Sequence, residues 1–328
     1  GLGPLAEIRL LSTGRVNRTF FIRAAGAGFA LQRLHPVFGP DGVVVENVAA
    51  ATECLAAAGL PTPRVKPAVS GTLWVEVEGL WRLMTWLPGN SISRRSPEAG
   101  AEAARFLGLV HRALAAGPPV LKPLPPAEHN RDRPASAHLW DELIEKQTRD
   151  SKFSLAASLL DSGRSLTHGL PSIRPVTRGL LHGDPKLENF LFDDSGCVVG
   201  LVDLDTVRAG FLVWEMADGL KSWAGVRGPD DKLALDEDIF LAAVDSYCGH
   251  GPALTDEELN QLPAAARALT LDLARRYLTD YFEESYFAWD RDHYPSLAEQ
   301  NLRRGAGLLH LAEELAEQET RLSKRIKP

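Results

Sequence analysis

Two short stretches of this chain carry side chains whose types and spacing could perform a reaction together. The first is Leu180-Leu181-His182-Gly183-Asp184-Pro185-Lys186-Leu187-Glu188-Asn189, an apolar run that delivers a carboxylate, a lysine and an amide to a loop. The second is Val198-Val199-Gly200-Leu201-Val202-Asp203-Leu204-Asp205, another apolar run that ends on acids. On a turn after a strand, Asp184 could accept a hydrogen bond from a hydroxyl and aim that oxygen at a phosphorus atom. Asn189 follows five residues later, a gap that lets the chain reverse and return an amide oxygen toward the same point. Asp203 ends the second apolar run, where a paired strand would place it beside Asn189. Hard oxygen donors of this kind suit Mg2+, which keeps its waters and bridges phosphates. Lys186 is a compact cation placed for a phosphate in transfer. The ordered set predicts phosphoryl transfer from ATP, with Mg2+, to a hydroxyl: Asp184 as base, Asn189 and Asp203 on the metal. Asp203-Leu204-Asp205 is also a pattern that metal-dependent glycosyltransferases use on nucleotide-sugars, but that reading leaves Asp184 to Asn189 without a task.

These residues need a scaffold, and the chain supplies two kinds. Before the motif, Ile8 to Leu11, Thr19 to Ala24 and Phe29 to Leu34 are short apolar or alternating runs split by glycine-bearing turns, the pattern of strands. Val43 to Ala58 is alanine-rich and closed by Gly59, with Pro61 and Pro63 beyond, which predicts a helix. Val65 to Val69, Leu73 to Val77 and Leu80 to Trp86 restore the strand pattern. From Ser96 the periodicity turns helical: Ala103, Phe106, Leu107, Val110 and Leu114 share one face, and Gly117-Pro118-Pro119 stops the run. Leu121 to Pro134 is proline-rich and polar, a surface excursion. Helical patterns recur near Leu139 and Leu155, then over Phe211 to Trp223, Leu233 to Tyr247 and Ala264 to Glu284, and finally from Ser296. Thr255 and Glu258 form a capping-box pattern. The expected fold class is α+β and bilobal, with a small β-rich lobe over residues 1–87 and a larger, mainly helical lobe over 88–328.

His182-x-Asp184-x-Lys186-x-x-Asn189 followed by Asp203 resembles the catalytic and metal-binding loops of the protein-kinase-like superfamily. The His-Gly-Asp form is similar to its aminoglycoside phosphotransferase and choline kinase branch, and within that to N-acetylhexosamine 1-kinase-like proteins. Gly14-Arg15-Val16-Asn17-Arg18-Thr19-Phe20 resembles the turn that covers the nucleotide, and Phe29 to Leu34 resembles the third strand. Leu278-Thr279-Asp280-Tyr281 and Asn301-Leu302-Arg303-Arg304 resemble the C-terminal helices. The resemblance implies His182 as a brace for the loop and Asp218 as its support. It implies nucleotide contacts from Gly14, Asn17 and Thr19, and from Thr85 and Leu87 at the hinge, where Trp86 also sits. Glu53 matches the helix glutamate that pairs with a strand lysine in relatives. Here the chain departs from the pattern. The third strand offers Gln32 and then Arg33 where many relatives carry a lysine or arginine on the phosphates. On a regular strand Arg33 points to the opposite face, so either a strand irregularity lets Arg33 in or the phosphate charge is met by Lys186 and Mg2+.

For the acceptor, Asp205, Arg208, Glu215, Asp280 and Arg304 are the candidate lining residues, and the resemblance favours a hexose or amino sugar. Aminoglycosides, choline and homoserine are the alternatives, with anionic Glu215 suited to a cationic acceptor. A catalytically silent nucleotide-binding protein is the rival from another class. The bulk figures narrow the field further. With 328 residues, 45% hydrophobic and 24% charged, the composition is that of a globular protein large enough for two lobes. A formal charge of -7 without basic blocks argues against a nucleic-acid partner. Cys54, Cys197 and Cys248 lie far apart, as expected for reduced thiols of a cytoplasmic protein. No run approaches the ~18 apolar residues of a membrane span, and no signal-peptide pattern opens the sequence. The oligomeric state is left open.

Overall fold

The computed structural model describes residues 2–11, 17–39, 41–117, 119–124, 136–228 and 230–326. The N-terminal region is an antiparallel sheet with one helix. Strands β1 (Leu5–Leu11), β2 (Arg18–Ala24) and β3 (Ala27–Arg33) form a meander, helix α1 (Val43–Ala57) crosses over, and β4 (Val65–Lys66), β5 (Val75–Glu76) and β6 (Leu80–Thr85) follow. The order is β1-β2-β3-β6-β4, with β5 also on β6. Alternation drives this arrangement: Leu80, Arg82 and Met84 of β6 are buried while their neighbours are half-buried. The expected helix over Val43–Ala58 forms nearly in full, and Gly59 leaves it in the left-handed conformation (φ +77°). β4 and β5 are shorter than the apolar runs that predicted them, because only two residues of each pair with β6.

β7 (Asn90–Ser91) leads into the mainly helical region. It contains α2 (Pro97–Ala116), α3 (Ala137–Gln147), α4 (Phe153–His168), then β8 (Arg178–Leu181), β9 (Phe190–Phe192), β10 (Val198–Leu201) and β11 (Arg208–Phe211). α5 (Leu212–Ala224), β12 (Gly225–Arg227), β13 (Leu233–Leu235), α6 (Glu237–His250), α7 (Asp256–Glu283) and α8 (Leu297–Arg325) complete it. Ser96 caps α2 through its Oγ, which accepts from the Ala99 N–H at 3.2 Å. Residues 233–235, expected to open a helix, instead pair with β12. The helix begins only after Asp236, whose side chain accepts from the Ile239 N–H. The expected helix from Ala264 is the second part of a longer one. The Thr255–Glu258 capping box starts α7 at Asp256, and Pro263 lies inside it. One large apolar core joins α2, α5, α6, α7 and α8 and includes Trp140, Trp223, Phe240 and Tyr247. Two small clusters, around Val44–Leu80 and around Ile22–Phe29, stabilise the sheet.

Two antiparallel strand pairs present the chemistry-bearing loops. β8 pairs with β11, Leu181 opposite Arg208, and β9 pairs with β10 and with β7. Val202 donates its N–H to the Asn189 carbonyl at 2.9 Å. That bond brings the ends of the two motif stretches together.

Candidate active site

The loop after β8 is fixed mainly by bonds to its backbone. Gly183 has φ +87°, and a Cβ there would meet the Thr206 carbonyl at 2.5 Å and Arg208 Nη1 at 2.4 Å, so only glycine fits. Beneath it, buried Glu215 of α5 accepts from the His182 N–H at 2.6 Å and, with both oxygens, from the Gly183 N–H at 3.1 Å. Burial alone would raise the pKa of Glu215, but His111, His182 and Arg208 around it hold the carboxyl below the usual range. His111 in turn contacts the Tyr247 hydroxyl at 2.7 Å. α5 gives two more supports: Trp223 Nε1 donates to the Pro185 carbonyl at 2.9 Å, and Ser222 Oγ accepts from the Leu187 N–H at 3.4 Å. His182 accepts from the Asp184 N–H at Nδ1 (3.2 Å), so its Nε2 carries the hydrogen directed at the Val202 carbonyl (2.8 Å). The imidazole therefore ties the loop to the segment that carries Asp203.

On this frame four side chains converge. Asn189 is buried, and its Nδ2 donates to the Asp184 carbonyl at 2.8 Å. Lys186 Nζ lies 2.6 Å from Asp184 Oδ2 and 3.6 Å from Asp203 Oδ2. Burial pulls the Lys186 pKa down, but the Asp184 and Asp203 carboxylates outweigh it and hold the ammonium above its ordinary value. Asp203 is in the left-handed conformation (φ 66°, ψ 50°), which Asp tolerates better than most residues. Burial first, and then Asp205 and Asp184, raise its pKa, against the pull of Lys186. A cation would relieve that repulsion. Among the described residues no group of three or more His, Cys, Asp or Glu could hold a metal unaided. Asn189 and Asp203 offer two hard oxygen donors, which fits a Mg2+ ion that also leans on phosphates and water.

The remaining sequence candidates fall in different places. On the sheet side, Asn17 is buried and donates to Asp205 Oδ2 at 2.6 Å, while its Oδ1 accepts from the His35 N–H. Thr19 accepts at Oγ1 from Gln32 Nε2 at 3.1 Å. Arg33 points to the opposite face and donates to the Glu78 carbonyl. Thr85 ends β6, with its N–H on the Arg64 carbonyl and its Oγ1 accepting from the Arg64 N–H. Leu87 packs where a Cβ on Gly200 of β10 would stand. Gly14 lies outside the described residues.

The other candidates have these partners. Glu53 is exposed and pairs with Arg64 at 3.4 Å. Asp205 faces the sheet and forms an ion pair with Arg82 at 2.6 Å. Glu215 is committed to the loop backbone rather than to a pocket wall. Asp218 pairs with Lys221 at 2.9 Å. Asp280 accepts from the N–H groups of Ser285, Tyr286 and Phe287 and from Asn301 Nδ2, which fixes the chain leaving α7. Arg304 lies over the Tyr294 ring and 3.6 Å from Asp290. Arg208 remains beside the loop, with Nη1 3.4 Å from the Thr206 carbonyl. Sequence reasoning missed Arg82 and His111. Arg82 had a signal, since it is charged yet occupies the buried phase of β6.

Residues 7–248 match a family described as Phosphotransferase enzyme family (APH). Among solved structures, the chain is similar to the microcompartment-associated aminopropanol kinase (TM-score 0.62, 16% identity, covering 96% of this chain and 93% of that one). It is also similar to amicoumacin kinase hAmiN in complex with AMP-PNP, Ca2+ and Ami (TM-score 0.60, 14% identity, 92% and 87% covered). A third likeness is a choline/ethanolamine kinase family protein from Mesorhizobium loti (TM-score 0.54, 17% identity, 98% and 92% covered). At these identities the likeness bears on fold. The architecture, a β-sheet N-terminal region with a helical C-terminal one, is protein-kinase-like.

Proposed function

The chain belongs to the phosphotransferase enzyme family and is a small-molecule kinase. From that premise we propose that it moves the γ-phosphate of ATP to a hydroxyl of a hexose or amino sugar, with Asp184 as the base. One observation carries the assignment of roles: Lys186 Nζ bridges Asp184 and Asp203, while Asn189 grips the Asp184 carbonyl. In the proposed step the acceptor oxygen bonds to the γ-phosphorus as the bond to the β–γ bridging oxygen breaks. Asp184 orients the acceptor O–H and takes its proton as charge develops. Lys186, held cationic by its two acids, offers its Nζ to the phosphoryl oxygens in transit. His182 and Glu215 keep the loop in the orientation that this contact needs. When bound, a divalent cation held by Asn189 and Asp203 would neutralise charge on the phosphates. Residues 1–87 then form the nucleotide lobe and 88–328 the catalytic lobe.

The acceptor class rests on the likeness of the motif segments to N-acetylhexosamine 1-kinase-like proteins. An ADP-release assay over hexoses, amino sugars, aminoglycosides, choline and homoserine tests it. Turnover should be highest with a hexose or amino sugar. Preference for choline or homoserine would replace the acceptor and leave the reaction standing. ATP binding with turnover of no acceptor, or no ATP binding at all, would overturn the reaction itself.

A further inference from the structure

A bound triphosphate brings several negative charges into the cleft, and a site built for it needs cationic donors on more than one side. On the sheet side, β3 presents neutral Gln32, and Arg33 faces away onto the Glu78 carbonyl. One strand over, Arg82 of β6 stands directly opposite Gln32 in the antiparallel register. It is only 3% exposed. Its Nε donates to Gln32 Oε1 at 2.9 Å, and its Nη2 lies 2.6 Å from Asp205 Oδ1, two residues past Asp203. The third nitrogen, Nη1, is buried without a hydrogen-bond partner, and Asp205 Oδ1 likewise completes no hydrogen bond of good geometry. A buried guanidinium with an unpartnered donor is costly, and a buried ion pair is in itself a poor source of stability. A guanidinium is also a planar fork suited to holding a carboxylate and a phosphate together.

We propose that Arg82 is the cation of the sheet that binds the nucleotide phosphates, and that Asp205 is its counter-acid. The pair so formed moves one strand sideways from β3 to β6, and its acid comes from the turn after β10 rather than from Glu53 of α1. Gln32 and Asn17 hold its two ends, Gln32 on the Arg82 Nε and Asn17 on Asp205 Oδ2. Nη1 is the donor left for a phosphate oxygen. This inference rests on the kinase reading above and refines which residues meet the donor.

The test is calorimetric titration of adenosine, ADP and ATP, with Mg2+, into three proteins: wild type, Arg82→Gln/Asp205→Asn, and Arg82→Gln/Gln32→Lys. The first double variant keeps shape and removes both buried charges. Wild-type affinity should rise from adenosine to ADP to ATP. The neutralised pair should lose about tenfold or more for ADP and ATP, the scale of a hydrogen bond to a charged group, and nothing for adenosine. Gln32→Lys, which returns a cation to β3, should recover part of that loss. If circular dichroism shows the double variants unfolded, Arg82→Lys keeps the charge without the fork, and it should weaken ATP several-fold more than adenosine. An equal loss for all three ligands, or no loss, would overturn the proposal and leave the kinase reading intact. Wild type that binds no nucleotide would overturn both.

Discussion

The loop after β8 and the sheet both bury charge, but they hold it in different ways. The loop after β8 is suspended by its main chain: Glu215 takes the His182 and Gly183 amides, Trp223 the Pro185 carbonyl and Ser222 the Leu187 amide. The sheet side is joined side chain to side chain, in the series Thr19–Gln32–Arg82–Asp205–Asn17 drawn from four separate segments. Support through the main chain sets the geometry of the loop. Support through side chains sets where charge sits and leaves the strand free to exchange one residue type for another. The loop motif is uninterrupted in this chain, and the departure from the resembled pattern lies at β3, on the sheet.

The largest expected effect comes from the loop side. Asp184→Asn should lower kcat about 10³-fold, the usual scale for a lost general base, with ATP affinity unchanged in a binding titration. Turnover near wild type would remove Asp184 from its role and, with it, the contrast between a loop that reacts and a sheet that binds. Next, Glu215→Gln keeps one acceptor oxygen but loses the charge beneath the loop. It should lower kcat about 10²-fold through misplacement of Asp184 and cost about 2 kcal/mol in a urea melt. A stability loss without a change in kcat would mean that the clamp serves folding alone. The smallest effect belongs to the sheet. Gln32→Ala should raise the KM for ATP about fivefold, as expected for one neutral link, with kcat nearly constant. A fall in kcat instead would show that the sheet network governs the chemistry as well as the binding.

The sequence showed one side of this comparison far better than the other, and locality is the reason. His182, Asp184, Lys186 and Asn189 fall within eight residues between two apolar runs, so their proximity needs little more than a turn. Asp203 required one inference, that the run before it pairs with a strand next to Asn189, and β10 does pair with β9, which begins just after Asn189. The helices were legible through period and caps, and Thr255 with Glu258 marked the start of α7. Glu258 also shows where local reading stops. Its carboxylate accepts from the amides of Val176 and Thr177, some eighty residues earlier, a role that no window of sequence displays. Glu215 and Asp280 are candidates for the acceptor pocket because a sugar site needs several oriented polar groups. Both carboxylates accept backbone amides, Glu215 from the loop about thirty residues earlier and Asp280 from the turn that directly follows its own helix. The neighbours of Glu215, Val213, Trp214, Met216 and Ala217, are all buried, so the apolar run around it was a sign of burial rather than of a cleft. Arg82 depended on knowing which strand lies beside β3, and β6 is about fifty residues away in the chain.

The suspension of the loop from α5 has a consequence for its motions. Amide hydrogens on a surface turn ordinarily exchange with solvent almost as fast as in an unfolded peptide, whereas those bonded to the core wait for a larger opening. The His182 and Gly183 amides end on a carboxylate sunk in the largest core of the protein. Their deuterium uptake should therefore follow that of α5, slow and cooperative, while the Ser195 turn joining β9 to β10, held only by its own Asp193, exchanges early. In that experiment the reactive loop would register as part of the last structure to come apart.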